Sequence, residues 1–488
     1  MFTLLKKKLR PSAAVSAVIF AGLPVFMAST TVNAATLTFE QIVFDNPAPG
    51  TPAGTTFSFV IRSELNNQGE FAFGVRLTGT RVTAANDSAI FSDVGGTLSL
   101  VAREGDPVPG AGVSLGLLFP SELSLNDQGE IAFGGLLSGT GVTFENSTAI
   151  FRESDGMLSL VAREGDAAPG TGDGVIFGGV LSGPELNDQG DIVFGANLTG
   201  AGVRTINDGA IFSDVGGALS LVAREGDAAP GAGEGVLFSS LFGPQLNDQG
   251  EIAFEGLLTG TGVTGANDLA IFSDVGGALV LVAREGDAAP GAGAGVSFGR
   301  FFDPELNDQG EIAFRTNLTG TGVTFANDGA IFSDVGGTLS LVAREGDAAP
   351  GAGEGVLFSS LFGHQLNDQG EIAFGGLLTG TGVTVDNNIA IFGESDGMLS
   401  LLVREGDIID LGDGDLATII SLSFVGFNDL GQIAFFADLS DGSINDLFLG
   451  SPDGIVLAPV PLPAALPLMA SGLLGLVAIA RRRKNAQV

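Results

Sequence analysis

Three amino-acid types are missing from the chain, cysteine, tryptophan and tyrosine, and histidine occurs once, as His364. The absence of cysteine excludes disulfides, thiolate-bound metals and thiol chemistry. The 36 phenylalanines are therefore the only large aromatic side chains. Sites that stack sugar rings usually use tryptophan or tyrosine, because a large ring with a polar edge suits a half-wet surface. The composition disfavours carbohydrate binding of that kind.

Basic residues are also scarce, and those present are concentrated at the two ends. Eight of the 21 lysines and arginines lie within residues 6–10 and 481–484, which leaves 13 arginines against 56 acidic residues in the body, a net charge of −43. Such a body repels phosphate backbones, so nucleic acid is excluded as a partner. Cations and basic surfaces remain as neighbours, and so does a simple role of the charge in solubility.

The first 34 residues have the order of a secretory signal peptide. Basic residues precede an apolar run from Ala13 to Met27, and a small-residue site, VNA, ends at Ala34. A retained membrane anchor is the alternative, but the run is short and contains Pro24. We therefore expect signal peptidase to cleave after Ala34 and the rest of the chain to be exported.

The other end, residues 460–488, combines a proline-rich hinge, an apolar stretch and a basic cluster. Leu468 to Ala480 are 13 uncharged residues, about 20 Å as a helix at about 1.5 Å per residue. Residues 463–466 must therefore extend the transmembrane segment. The basic cluster would hold the end in the cytoplasm, which places the acidic body on the outer side of the membrane.

This tail resembles a PEP-CTERM sorting signal of Gram-negative bacteria, which the membrane protease exosortase recognises. The residues that carry the resemblance are Val460, Pro461, Pro463, Arg481, Arg482, Arg483 and Lys484, with Leu462 where the family has glutamate. The resemblance implies exosortase as a partner, transient insertion in the inner membrane, and delivery to the cell surface or extracellular matrix. An ordinary tail anchor is the alternative.

The middle of the chain, residues 35–459, repeats one unit seven times. Segments of the form NxxGxx(A/V)F recur with spacings of 60 or 61 residues. A second motif, (A/V)REGD, keeps the same period, with arginines at Arg103, Arg163, Arg224, Arg284, Arg344 and Arg404. Two motifs in step define a repeat of about 60 residues.

Each repeat predicts four strands. In Asp227–Gly286 the apolar runs are GVLFSSLF, EIAFEGLLTG, LAIFSDV and ALVLVARE, and the breaks carry glycine, asparagine, aspartate or proline. In the NDQG break, asparagine can hydrogen-bond its own backbone and glycine tolerates the positive φ of a tight hairpin. We therefore predict hairpin tips at seven Asn/Gly pairs: Asn66 and Gly69, Asn126 and Gly129, Asn187 and Gly190, Asn247 and Gly250, Asn307 and Gly310, Asn367 and Gly370, and Asn428 and Gly431.

The apolar runs have little polar face, so sheets built from them must be covered on both sides. Four strands repeated seven times around an axis make a seven-bladed β-propeller, which is the all-β fold we predict. A β-solenoid, which turns about every 20 to 30 residues, fits the repeat poorly, and separate small sandwiches would lack a core. Residues 36–43 and 451–460 both match a final strand, and the sequence does not show which of them closes the ring.

The body is similar to a family of bacterial surface proteins with tandem NxxGxxAF repeats. Asn126, Gly129, Ala132 and Phe133 show the pattern, which recurs over nearly all of residues 37–459. The resemblance implies secretion and surface display, and no defined activity.

Catalysis needs unlike side chains that converge at one place. His364 stands where the otherwise matching repeat has Pro244, and we interpret it as a neutral loop substitution. An acidic pair accompanies each motif arginine, as Glu225 and Asp227 accompany Arg224. Six equivalent sites indicate a structural role, with each arginine paired to nearby acids or bridging adjacent blades. We predict no catalytic residue and no enzymatic activity.

Calcium is the ion that the acidic body would suit, because hard cations prefer oxygen ligands. The densest cluster is Asp410, Asp413 and Asp415, which lacks the spacing and the closing glutamate of an EF-hand. We predict no metal site and no cofactor, with calcium at this cluster left as an open alternative.

These patterns predict a secreted, acidic repeat protein with a structural, adhesion or binding role at the cell surface or in the extracellular matrix. Two other functions stay open: a calcium-dependent binding module, and a surface hydrolase or lyase that uses the central opening of the propeller. An enzyme should break the repeat symmetry near the axis with histidine or unique carboxylates, and the sequence pattern alone shows no such break.

Overall fold

The computed structural model describes residues 48–395, 397–410, 416–440 and 446–450. These residues form seven antiparallel sheets in a closed ring, a seven-bladed β-propeller, which confirms the predicted fold. The predicted signal peptide, the sorting tail and both candidate closing segments lie outside the described residues. The described part of the chain contains no helix with the length and apolarity of a membrane span.

The strands of each blade follow one another in sequence. Blades 1 and 2 contain β1 (Thr55–Leu65), β2 (Phe71–Gly79), β3 (Ser88–Ser92), β4 (Ser99–Arg103), β5 (Ser114–Leu125), β6 (Ile131–Ser138), β7 (Thr148–Ser154) and β8 (Met157–Arg163). Blades 3 and 4 contain β9 (Val175–Leu186), β10 (Ile192–Gly200), β11 (Gly209–Ser213), β12 (Ser220–Arg224), β13 (Val236–Leu246), β14 (Ile252–Gly260), β15 (Leu269–Ser273) and β16 (Val280–Arg284). Blades 5 and 6 contain β17 (Val296–Leu306), β18 (Ile312–Gly320), β19 (Gly329–Ser333), β20 (Ser340–Arg344), β21 (Val356–Leu366), β22 (Ile372–Gly380), β23 (Ile389–Ser395) and β24 (Met398–Arg404). Blade 7 contains β25 (Ile408–Asp410), β26 (Leu416–Phe427), β27 (Ile433–Leu439) and β28 (Asp446–Gly450).

The first long strand of each blade is the inner strand, since these strands contact one another around the ring, including β26 with β1. In blade 7 this is β26, and the short β25 pairs with its start. At five other junctions between blades, a single β-bridge occupies the position of β25, for example the bridge between Ala288 and Ser297. The propeller axis is therefore surrounded by seven inner strands.

The inner strands run further than the sequence pattern predicts. In blade 4 the predicted run ends at Phe242, but β13 continues to Leu246 across a register shift between Phe242 and Gln245. Gly243 lies at this bulge with φ +52°, a conformation that favours glycine. The extension brings the end of the inner strand to the asparagine hairpin at the axis.

The hydrophobic core lies between neighbouring blades. One cluster joins Ala253 and Ile271 of blade 4 to Phe298, Phe314 and Phe332 of blade 5. The Phe298 and Phe332 rings meet edge to face at 4.9 Å, and Phe314 stacks on Phe332 at 6.0 Å. Burying one such side chain stabilises the fold by about 1.5–3 kcal/mol. Each sheet is thus covered on both sides by its neighbours, as its apolar pattern predicts.

Candidate binding site at the propeller axis

The seven predicted hairpin tips all lie around the axis at one end of the inner strands. At each tip the asparagine Oδ1 accepts two backbone N–H groups of its own turn, for example those of Gln309 at 3.1 Å and Glu311 at 2.8 Å for Asn307. The turn glycine has positive φ, as at Gly310 with +74°. The hairpin prediction is therefore confirmed in its local geometry.

The same asparagines also join the blades. The Nδ2 group of Asn307 donates to the carbonyl oxygen of Asn367 in the next blade, at 3.1 Å. Six such links run around the ring, from Asn66, Asn126, Asn187, Asn247, Asn307 and Asn367. All seven asparagines are buried, so these bonds are protected from water.

A second circle of hydrogen bonds is formed by the residue after each asparagine. Each backbone N–H donates to the side-chain Oδ1 of the equivalent residue in the next blade, at 2.6–2.7 Å. The seven members are Asn67, Asp127, Asp188, Asp248, Asp308, Asp368 and Asp429. We call this set the axial ring. It is complete, because Asp429 of blade 7 donates to Asn67 of blade 1 at 2.7 Å.

The axial ring surrounds an opening of about 260 Å³. Six leucines and one phenylalanine line the same opening: Leu65, Leu125, Leu186, Leu246, Leu306, Leu366 and Phe427. Burial, together with the neighbouring aspartates, raises the pKa of Asp188 to about 6 and that of Asp368 to about 7. The ring therefore holds some of its protons near neutral pH.

In blades 1, 3 and 5 a glutamate occupies the inner strand one residue before the leucine. Burial raises the pKa of Glu185 to about 7 and that of Glu305 well above its usual range. Arg62 of blade 1 pairs with Glu64, and the charges of Glu64, Glu185 and Glu305 raise its own pKa. One guanidinium thus lies among glutamates from blades 1, 3 and 5.

The (A/V)REGD motifs have the structural role that the repetition predicts, but through other bonds. Each motif arginine donates Nε to an asparagine carbonyl of its own blade, as Arg284 does to Asn267 at 2.8 Å. Its Nη1 reaches Ala232 in the linker that enters the blade, also at 2.8 Å. Among the described residues no ion pair of a motif arginine is found, so the predicted pairing with acids is wrong. The guanidinium N–H groups donate instead to backbone carbonyl oxygens of two loops.

The motif glutamates complete this arrangement. The Glu225 carboxylate accepts the N–H groups of Asp208 and Gly209 at 3.2 and 2.9 Å. Glu164 and Glu405 accept the equivalent pairs in blades 2 and 6. The motif glutamate therefore holds the loop between the second and third strands against the end of the fourth strand.

His364 is only 4% exposed and lies at the bulge of β21. Its Nε2 atom has no hydrogen-bond partner among the described residues. Burial lowers its pKa to about 4, so the ring is neutral at pH 7. The residue predicted to be a loop substitution is instead part of an inner strand.

The remaining predicted sites are largely beyond what the structure describes. Ala34, Val460, Pro461, Pro463 and the basic cluster at 481–484 lie outside the described residues, as do Asp413 and Asp415; Asp410 ends β25. Within the described ranges, no group of three or more histidine or acidic side chains is placed to hold a metal ion.

Sequence reasoning missed both circles of bonds at the axis. The spacing of 60 residues identifies equivalent positions but not their distance across the ring. One signal was present, since aspartate follows the asparagine in six of the seven turns although a hairpin does not require it there.

The chain also matches solved structures, at low sequence identity. The β-propeller domain of the Trilobed protease from Pyrococcus furiosus matches 81% of this chain and 96% of its own, with 9% identity and a TM-score of 0.43. Polysaccharide lyase Uly1 matches 86% of this chain and 98% of its own, with 12% identity and a TM-score of 0.40. The comparison with curated proteins gives no match. Residues 41–451 match the model described as a family of unknown function, DUF7453, and the chain belongs to that family.

Proposed function

We propose that the protein is an exported, exosortase-processed component of the cell surface or extracellular matrix, in which the propeller acts as a rigid binding or structural module. The proposal combines the export and sorting signals of the two ends with the architecture of the body. It assigns no catalytic role to the repeated residues.

The observation that carries the proposal is the complete axial ring. Hydrogen bonds that close from Asp429 to Asn67 join the first and last blades, so the repeats form one body. Blades 1 to 6 then each present an equivalent exposed loop between their second and third strands, such as residues 260–266. A surface that repeats around a ring can bind a repetitive polymer at several points, and the separate contacts reinforce one another.

The export and sorting proposal is tested by the mass of the protein recovered from its native host. We expect a product that begins at Ala35 and has lost the segment after the proline hinge. The double variant Pro461→Ala, Pro463→Ala should accumulate with its C-terminal segment intact in the membrane fraction. A wild-type product that still ends at Val488 would contradict this part of the proposal.

The binding role is tested with isolated extracellular matrix of the same host. We expect the protein to co-sediment with the matrix saturably, and heat-unfolded protein at the same concentration to serve as the control for nonspecific adsorption. Soluble saccharide or peptide fragments released in proportion to added protein would contradict a non-enzymatic role.

A further inference from the structure

The repeat symmetry is broken in blade 5. Blades 4 and 6 have Ser240 and Ser360 where blade 5 has Arg300, and they have glycine where it has Asp303. In the second strand, Arg315 replaces the Glu255 of blade 4 and the Gly375 of blade 6. The break expected of an enzyme is histidine or unique carboxylates near the axis, whereas blade 5 introduces two arginines and one aspartate.

The unique side chains converge on one aromatic ring. The guanidinium carbons of Arg300 and Arg315 lie 5.5 and 4.8 Å from the centroid of Phe302. Phe302 and Arg315 are opposite each other in the β17–β18 register. We call Arg300, Phe302, Asp303, Arg315 and His364 the blade-5 cluster. Two cations held near one ring repel each other unless an anion joins them.

The anions present do not satisfy these two arginines. Arg315 Nη2 lies 3.7 Å from Asp303 Oδ2, and the Asp303 side chain is 75% exposed. Arg315 Nη1 donates to the Leu361 carbonyl at 3.2 Å, while its buried Nε has no hydrogen-bond partner among the described residues. Arg300 is exposed, and no carboxylate of the described chain lies within ion-pair distance of it. The two guanidinium groups therefore have N–H donors that are available to a ligand.

His364 is the buried member of the cluster. Its ring interacts with the charges of Asp303 and Arg315 and with the backbone of Asp303 and Ala313, and its Nε2 atom has no hydrogen-bond partner among the described residues. Asp303 has φ +50°, whereas the equivalent positions of blades 4 and 6 are Gly243 and Gly363. A non-glycine residue in this conformation is unfavourable and is often found at functional sites.

An apolar surface adjoins the cluster. Phe242 of blade 4 is 49% exposed and pairs in register with Glu255. Burial raises the pKa of Glu255, and the residue lies close enough to the cluster that the charge of Asp303 raises this pKa further and that of Arg300 lowers it. A ligand held by the arginines would therefore lie beside two phenylalanines, Phe242 and Phe302.

We propose that the blade-5 cluster is a binding site for an organic carboxylate with an apolar body. The carboxylate accepts hydrogen bonds from Arg300 and Arg315, whose planar guanidinium groups match its two oxygens. The apolar body packs on Phe302 and Phe242. The acidic surface disfavours polyanions, because repulsion grows with every added charge, whereas a single charge enters more easily. This inference does not rest on the proposed export and surface display of the protein.

The proposal is tested by ¹⁹F NMR with the purified full-length protein. The probes are 4-fluorobenzoate and its neutral counterpart 4-fluorobenzamide. We expect the benzoate signal to broaden on addition of protein and the benzamide signal to stay sharp. Equal broadening of both probes, or of neither, overturns the proposal.

Variants then locate the site. Arg300→Ala should weaken benzoate binding about tenfold or more, since charge-assisted hydrogen bonds contribute about 1.5–3 kcal/mol. Arg204→Ala is the matched control, because it removes the same charge from an exposed loop of blade 3 and should leave the affinity unchanged. Arg300→Lys keeps the charge but loses the fork, and it replaces the alanine variant if that variant unfolds; it too should bind more weakly. Affinity within about twofold of wild type in a folded Arg300 variant overturns the proposal.

Discussion

Asn307 shows how much one side chain contributes at the axis. Its Oδ1 accepts from Gln309 and Glu311, and its Nδ2 donates to the Glu311 carboxylate and to the Asn367 carbonyl. Two of these partners could be predicted, because an asparagine at the start of a tight turn bonds its own backbone. The bond to Asn367 could not, since it depends on where the next blade lies.

We expect Asn307→Ala to destabilise the protein by about 2–4 kcal/mol, because several buried donors and acceptors lose their partner at once. The measurement is the midpoint of urea-induced unfolding. Gln309→Ala changes an exposed residue of the same turn and should shift the midpoint little. Equal losses in the two variants would show that the asparagine has no special role.

At the scale of the structural element, the hairpin of one blade packs against the blade before it. A Cβ atom at Gly310 would lie 2.7 Å from Val275 Cγ1 of blade 4, and the glycine has φ +74°. The loop glycine Gly322 has nearly the same φ, +76°, but its Cβ would meet nothing within 4 Å. Substituting each glycine in turn therefore separates the cost of a left-handed backbone from the cost of a contact between blades.

Both Gly310→Ala and Gly322→Ala should lose about 1 kcal/mol for the left-handed backbone. Gly310→Ala should lose about 1–2 kcal/mol more, because a close-packed neighbour must move. Chemical denaturation of the two variants under the same conditions measures the difference. If the losses are the same, the hairpin does not press on the preceding blade.

For the whole molecule, the carboxyl groups along the axis control the dependence of stability on pH. The folded pKa values of Asp188, Glu185 and Asp368 are raised, to about 6, 7 and 7. A raised folded pKa contributes stability that is complete below the unfolded pKa of about 4 and is lost as the pH rises through the folded value. The net charge of −35 at pH 7 acts in the same direction through self-repulsion.

We therefore expect the melting temperature, measured by calorimetry, to fall as the pH rises from 5 to 8. The paired variant is Asp368→Asn, which copies Asn67 of blade 1 and keeps an Oδ1 acceptor for the Asp308 N–H. Its melting temperature should exceed that of the wild type at pH 8 and approach it at pH 5. A melting temperature that is constant or rises over this range would contradict the role given to the axial carboxyls.

The sequence by itself determined the repeat, the four strands of each blade, the asparagine hairpins and the need to cover both faces of every sheet. These follow from hydrophobic periodicity and turn chemistry, which act between residues close in the chain. The tertiary structure alone decided the axial ring, the carbonyl partners of the motif arginines and the convergence of Arg300, Arg315 and His364. Many of those contacts join residues about 50 or more positions apart, as Arg284 and Ala232 are, and the others join separate strands or loops of one blade, as Arg284 and Asn267 do. Such distances exist only once the ring has closed, because packing rather than local preference brings the blades together.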